Sequence, residues 1–404
     1  MIKAIDLFSG CGGLSCGLTK TGFSVVVAVE IEERAKETYL SYPPLSEVNV
    51  LCGDIRNISG QKILVEGKID PDELYLFAGC PPCQNFSRQN KQNKQKTENE
   101  RKELLFRFLE VIKEIYPPFV LMENVPGIQS KSNKNIINEF LANLRNDTGD
   151  PKQGYYVVER VLNAADYGVP QLRKRFVMHA IRRDLYVKLQ DKGMEFLLPT
   201  PTHDRFGKDG LQLWKTVSDT INDLPVIEQG STYEGDLPIF NHKCAGLSEK
   251  NIRRIRAIRH TGGSRTSLPD ELILKCHKKI KINDKGEEKL YSGHKDVYGI
   301  MREDKPAPTM TGGCLCYSKG RYGHPTQDRA ISIREAARFQ TFPDDFKFSD
   351  SLTHAAIQIG NAVPIKLVEA SANVLKLAIE TLKSSGDNDC EEHTMLKKII
   401  KTKI

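Results

Sequence analysis

The chain holds one tryptophan among 404 residues, no internal repeat, and no apolar run of roughly 18 residues, so it offers no membrane-spanning helix. An N-terminal leader of basic, apolar and small residues is also missing, which points to a cytoplasmic protein with no membrane partner. Its ten cysteines show no pairing pattern, as expected of a reducing compartment. A zinc site is short of ligands. Cys80 and Cys83 form one C-x-x-C pair, but the nearest second pair, Cys314 and Cys316, has a gap too short for good ligation, and no metal is expected. The chain reads as a monomer with no obligate protein partner. The surplus of one charge sign is mild, 59 Lys and Arg against 52 Asp and Glu, net +7. It is also local: residues 250–289 carry twelve basic and five acidic residues, again +7. There Arg253, Arg254, Arg256 and Arg259 stand in one helix-like run that suits phosphate contacts. The plain alternative is a solvated helix face.

What is present begins with Gly79-Cys80-Pro81-Pro82-Cys83-Gln84. The apolar run Leu74 to Ala78 reads as a buried strand, and the two prolines then force the chain out of regular structure. From Gln84 to Lys102 the chain is polar, with Phe86 its only large apolar residue. A thiol therefore stands at the C-terminal edge of a sheet, where open α/β sheets place their chemistry. Position alone leaves three readings open: a nucleophile, a small buried hydrophobe, or half of a redox dithiol. A thioredoxin-like pair opens a helix, whereas a polar loop follows here. Residues 84–102 carry six Lys and Arg and two Glu, net +4, so this loop can close over phosphates. Gln84, Ser87 and Arg88 lie nearest Cys83.

The N-terminus carries a second signal. Lys3 to Phe8 reads as a strand, followed by Ser9-Gly10-Cys11-Gly12-Gly13 and a helix from about Leu14. A glycine-rich turn between strand and helix lets a ligand approach the backbone, and the helix N-terminus favours an anion. Ser15 replaces the third glycine of a dinucleotide fingerprint, which favours a smaller anion such as an amino-acid carboxylate. A second strand, Val25 to Val29, ends at Glu30, placed to take ribose hydroxyls. A third, Val48 to Leu51, is followed by Gly53-Asp54-Ile55, where Asp54 can accept from an adenine amino group. Each acid alone is as readily a cap or a solvated charge; three successive strand ends with these residues point to an adenosyl pocket.

Two further strand ends follow. Pro118 to Met122 leads to Glu123-Asn124-Val125-Pro126-Gly127, and Val157 to Ala164 leads through Tyr167 to Gln171-Leu172-Arg173-Lys174-Arg175. Gly360-Asn361-Ala362-Val363-Pro364 stands near the C-terminus. In order and spacing, DLFSGCGG, GCPPCQ, ENVPG, QLRKR and GNAVP resemble the DNA (cytosine-5) methyltransferase family, of the bacterial restriction-modification type. The resemblance covers about residues 1–185 and 300–375.

The resemblance implies a fold, a chemistry and a cofactor. The fold is α/β, a doubly wound, mostly parallel sheet of the Rossmann-like S-adenosylmethionine-dependent methyltransferases, with a smaller irregular target-recognition domain. Cys83 is implied to attack C6 of cytosine, turning the ring into an enamine that takes a methyl group at C5. Glu123 is implied to hold N3 and the exocyclic amine, which requires a proton and hence a raised pKa. Arg173 and Arg175 are implied to orient Glu123 and the base through planar forks; by themselves they read as a solvated basic run. The implied cofactor is S-adenosyl-L-methionine, with Phe8, Gly10, Gly12 and Pro82 lining its pocket, Glu30 on the ribose, Asp54 and Ile55 at the adenine, and Asn361 and Val363 closing it. The substrate is double-stranded DNA, whose target base must be flipped out, and a cognate restriction endonuclease is a functional partner.

These signals divide the chain into a catalytic and cofactor domain at 1–185, a target-recognition domain at 186–350, a return to the catalytic domain at 351–382, and a polar linker with a basic tail at 383–404. Cys316-Tyr317-Ser318-Lys319-Gly320 echoes a branch of the family that methylates tRNA. A tRNA enzyme, or a catalytically silent DNA-binding relative, stays open as an alternative.

Overall fold

The computed structural model describes all residues except 83–97, 146–152, 279, 283–287, 291–293 and 385–404. Seven strands form one sheet: β1 (Ile2–Leu7), β2 (Phe23–Glu30), β3 (Asn49–Cys52), β4 (Leu76–Gly79), β5 (Phe119–Asn124), β6 (Tyr155–Asn163) and β7 (Lys174–Arg182). Their spatial order is β3-β2-β1-β4-β5-β7-β6, with every pair parallel except those made by β7. The expected doubly wound, mostly parallel sheet is present. The sequence reading did not identify β7 as a strand. Antiparallel pairing sets Asn124 opposite Phe176, so the start of β7 lies beside the C-terminal end of β5.

Alternation along the strands feeds a core on each face. Leu76, Ala78, Phe119 and Leu121 pack on one side, Phe77, Val120 and Met122 on the other. The helices, in chain order, are α1 (Gly13–Lys20), α2 (Glu33–Leu40), α3 (Gly60–Glu66), α4 (Glu98–Ile115), α5 (Lys134–Arg145), α6 (Arg183–Asp191), α7 (Ser218–Ile221), α8 (Glu249–Ile258), α9 (Ile333–Phe339), α10 (Leu352–Asn361) and α11 (Ile365–Lys383). Helices α3, α4 and α5 cover one face, while α1, α6 and α11 cover the other. Contact between α1 and α11 is close, since a Cβ at Gly17 would stand 2.5 Å from that of Val368.

The segment expected as one unit, 186–350, is shared between cores. Phe196, Val217, Ile221, Met310 and most of α9 belong to the core of the sheet. A separate small core is built from Ile255, Ile258, Leu268, Leu272, Ile300, Tyr317 and Ala330. A capping box at Ser332 and Glu335 starts α9. The Glu335 carboxylate also receives both terminal nitrogens of Arg329, at 2.8 and 2.6 Å.

Candidate active site

The ends of β1, β2, β4 and β5 and the start of β7 share one edge of the sheet, and a cavity of about 1030 Å³ opens along it. Single small-molecule pockets run to about 1,000 Å³, so this volume can hold more than one ligand group.

On one side the cavity is walled by the first three strand ends. Phe8 takes φ +60°, a left-handed conformation that a non-glycine residue holds only at a cost of about 1–3 kcal/mol. Its neighbour Gly10 also has positive φ, and a Cβ there would stand in open space. Buried Glu30 fastens this turn: Oε2 accepts from Gly10 N at 2.7 Å, and Oε1 accepts from Ile31 N and Glu32 N at 2.9 Å each. Asp54, Ile55, Pro82, Asn361 and Val363 line the same cavity. Two details depart from expectation. Gly12 does not line the cavity; its φ is +95° and a Cβ there would meet Leu45 and Tyr39 at 2.9 Å, so it shapes the turn into α1. Asp54 is occupied by Arg56, whose Nε lies 3.0 and 2.9 Å from its two oxygens, which holds its carboxyl below the ordinary range.

The opposite wall carries the second group. Glu123, near the end of β5, is buried, and Arg175 at the start of β7 places its Nε 2.7 Å from Glu123 Oε1. Burial pushes the Glu123 carboxyl above its ordinary pKa, against the pull of both arginines. Arg173 does not meet this carboxylate with a hydrogen bond. Its buried guanidinium donates to Met310 O at 2.6 Å and to Gly360 O and Ala362 O at 2.8 and 2.9 Å. Asn124 Nδ2 donates to Pro81 O at 3.2 Å, tying the Gly-Cys-Pro-Pro turn to the end of β5. Cys83, Gln84, Ser87 and Arg88 lie outside the described residues.

The four arginines of α8 and its C-terminal cap part company. Arg254 is turned inward, contrary to the phosphate-contact expectation: Nε donates to Leu272 O at 2.9 Å and the guanidinium lies over Tyr298. The reason is periodicity, since Arg254 shares the apolar stripe of Ile255 and Ile258. Arg256 and Arg259 both pair with Asp328, and Arg253 is exposed. Sequence reasoning also passed over Thr309–Gly312, which lines the cavity beside Glu123, and the pair Arg34 and His354, hydrogen-bonded at 2.6 Å at the cavity wall. No local pattern marks these residues; folding brings them in from distant segments.

A profile of C-5 cytosine-specific DNA methylases matches residues 2–377. The chain belongs to that family. Its activity is the family's, transfer of a methyl group to C5 of cytosine in DNA. It is 34% identical over 385 residues to the Type II methylase M.HgiDII of Herpetosiphon aurantiacus, covering 94% of this chain and 96% of that one. It is 32% identical over 378 residues to the Type II methyltransferase M1.HphI of Haemophilus parahaemolyticus, covering 92% and 86%. Among solved structures, that of a DNA modification methyltransferase encoded within an E. coli prophage superposes with a TM-score of 0.63 at 24% identity, covering 94% of this chain and all of that one. This last likeness concerns the fold.

Proposed function

We propose that this family member methylates a flipped-out cytosine within a specific duplex DNA sequence, as the cytoplasmic modification enzyme of a restriction-modification system. S-adenosylmethionine is its cofactor and Cys83 its nucleophile. The observation that carries the reading is Glu123, buried, raised in pKa and ion-paired to Arg175, in the same cavity as the glycine turn.

The cavity suits the cofactor. Ser9 Oγ and Gln358 Oε1, both buried at its wall, have no hydrogen-bond partner among the described residues, and such atoms call for a ligand. Glu30 Oε2, with one N–H bound, keeps a lone pair for a ribose hydroxyl, and Phe8, Ile55 and Val363 supply apolar walls. Asp54 reaches an adenine amine only by sharing with Arg56. The cofactor supplies the methyl group as an electrophilic sulfonium.

The chain's residues do the rest. The Cys83 thiolate adds to C6, forming an S–C6 bond and moving the ring's electron pair toward C5. Protonated Glu123 donates to N3 and accepts from the exocyclic amine, neutralising charge as the adduct forms; general acid help of this kind is worth about 10²–10⁴-fold. Arg175 holds the carboxyl in place. After methylation, loss of the C5 proton and of the thiolate restores the ring. Gln84, Ser87 and Arg88, with Arg253, serve the DNA.

Duplex DNA carrying 5-fluorocytosine at the target position tests the mechanism, because fluorine cannot leave as a proton. The wild type should form a complex that survives denaturation, and Cys80→Ser should do the same. Cys83→Ser should not. A Cys83→Ser protein that methylates normally would sink the mechanism, and bisulfite sequencing of DNA from expressing cells reads both activity and target site.

A further inference from the structure

The two walls of the cavity are joined by a buried chain of amides that no catalytic role accounts for. Gln171 and Gln340 are fully buried and touch each other, Gln171 Nε2 donating to Gln340 Oε1 at 2.9 Å. On the target side, Met310 N donates to Gln171 Oε1 at 2.8 Å. On the cofactor side, Gln340 Nε2 donates to Ile359 O at 2.6 Å and Ala362 O at 3.0 Å, beside Asn361 and Val363. The second proton of Gln171 Nε2 goes to Phe339 O at 2.9 Å.

These partners fix both amide orientations. Met310 N–H is a backbone donor and demands an oxygen, so Gln171 must turn its nitrogen toward Gln340. Gln340 must then present its oxygen to Gln171 and its nitrogen to the end of α10. The result is a one-way relay from Met310 through two side chains to Ala362, and Arg173 spans the same gap by holding Met310 O and Ala362 O. The walls already touch at one point, where a Cβ on Gly360 would lie 2.2 Å from the Thr311 carbonyl carbon. Contact alone permits sliding; hydrogen-bonded amides with every polar atom engaged do not.

We propose that Gln171 and Gln340 are positioning residues that couple the two halves of the cavity, so that filling the cofactor side fixes Thr309–Gly312 for the target base. This rests on the reading of the cavity as a joint site for cofactor and cytosine. By linkage the effect is reciprocal: whatever the cofactor gains from the duplex, the duplex gains from the cofactor.

Hydrogen–deuterium exchange separates this from a plain packing role, which would alter exchange whether or not ligand is present. In the wild type, S-adenosylhomocysteine alone should slow exchange in peptides covering 359–363 and also 307–313, by about threefold or more. In Gln340→Met, of similar size but without the amide, protection should persist at 359–363 and vanish at 307–313, while affinity for S-adenosylhomocysteine measured by calorimetry changes less than about threefold. Gln340→Asn, one methylene too short to reach both neighbours, should behave alike and covers the case in which the methionine variant does not fold. Protection confined to 359–363 in the wild type, or undiminished at 307–313 in a folded variant, overturns the coupling and leaves the joint site standing. Failure of S-adenosylhomocysteine to bind at all overturns the joint site, and the coupling with it.

Discussion

Glu123 and Glu335 are both buried and both lie against arginine, yet their acidities move in opposite directions. Burial raises both, and the difference lies in what answers it. Glu335 receives a two-pronged Arg329 at 2.8 and 2.6 Å, Ser332 N–H at 2.7 Å, and His324 at 3.4 Å, so the charged form wins. Glu123 has one close cation, Arg175, and its proton is retained more readily. Donors directed at the carboxylate, more than nearby charge, decide whether a buried acid serves as scaffold or as proton donor.

The largest effect should come from Glu123→Gln, which keeps the shape and removes the titrating proton. Its kcat should fall about 10²–10⁴-fold, some 3–5 kcal/mol of barrier, with a denaturation midpoint near wild type. Glu335→Ala should do the reverse. Leaving Arg329 buried and unpaired costs about 3–5 kcal/mol of stability, visible as a lower urea midpoint, with kcat per folded molecule nearly unchanged. If both variants lose stability alike, the distinction between the two carboxylates is wrong.

Asp6 sharpens the comparison because it is buried and answered by one residue, Ser15, whose Oγ lies at 2.6 Å and whose backbone adds a weaker pull. Its pKa should follow Glu123, and it is pushed up from 3.8 to about 7, chiefly by burial. The folded state then binds a proton that the unfolded state has lost. Asp6 thus contributes stability that is full below about pH 4 and lost as pH rises through about 7, on the order of a few kcal/mol. Glu335, lowered, loses nothing over that range. Unfolding of wild type and Asp6→Asn at about pH 5 and about pH 8 checks this: the wild type should weaken between the two, and the variant should lack this contribution to the slope.

A smaller effect is expected at Glu30, which spends three acceptor sites on backbone N–H groups. Glu30→Ala should weaken S-adenosylmethionine by about 1–3 kcal/mol in calorimetry, the scale of a lost polar contact plus a loosened turn. The smallest concerns arginines judged by the same count of partners. Arg253→Ala should flatten the slope of log affinity against log salt by about 0.9 if it meets a phosphate, whereas Arg254→Met, removing an inward guanidinium, should leave that slope alone. Equal slopes in both variants would take α8 off the DNA surface.

Much of this was legible because strand ends carry their own punctuation. Glycine after β1, Glu30 at the end of β2, Asp54 after β3, the prolines after β4 and Glu123 near the end of β5 are local signals, and each lies at the expected edge. The strand β7 escaped because Gln171-Leu172-Arg173-Lys174-Arg175 reads as a polar run, although Phe176 to Ile181 is apolar enough to pack on both faces. Arg254 was legible in principle from its spacing to Ile255 and Ile258. Gln171, Gln340 and the carbonyl partners of Arg173 were not, since each bond joins segments distant in sequence and nothing local marks a residue whose partner lies elsewhere.

The packing of α11 on α1 bears on how the protein is made. Helix α1 leaves the ribosome well before α11, since about 345 residues separate them in the chain. At about 5–20 residues per second, the roughly 200 residues between β7 and the end of α11 take ~10–40 s to synthesise. Through that interval one face of the sheet waits only partly covered, by α1 and α6, with Ala4, Leu14, Leu18 and Ala28 awaiting Val368, Leu375 and Ile379. The nascent chain must be shielded from its neighbours through that interval, and a ribosome that stalls before α10 leaves an open apolar face in place of an enzyme.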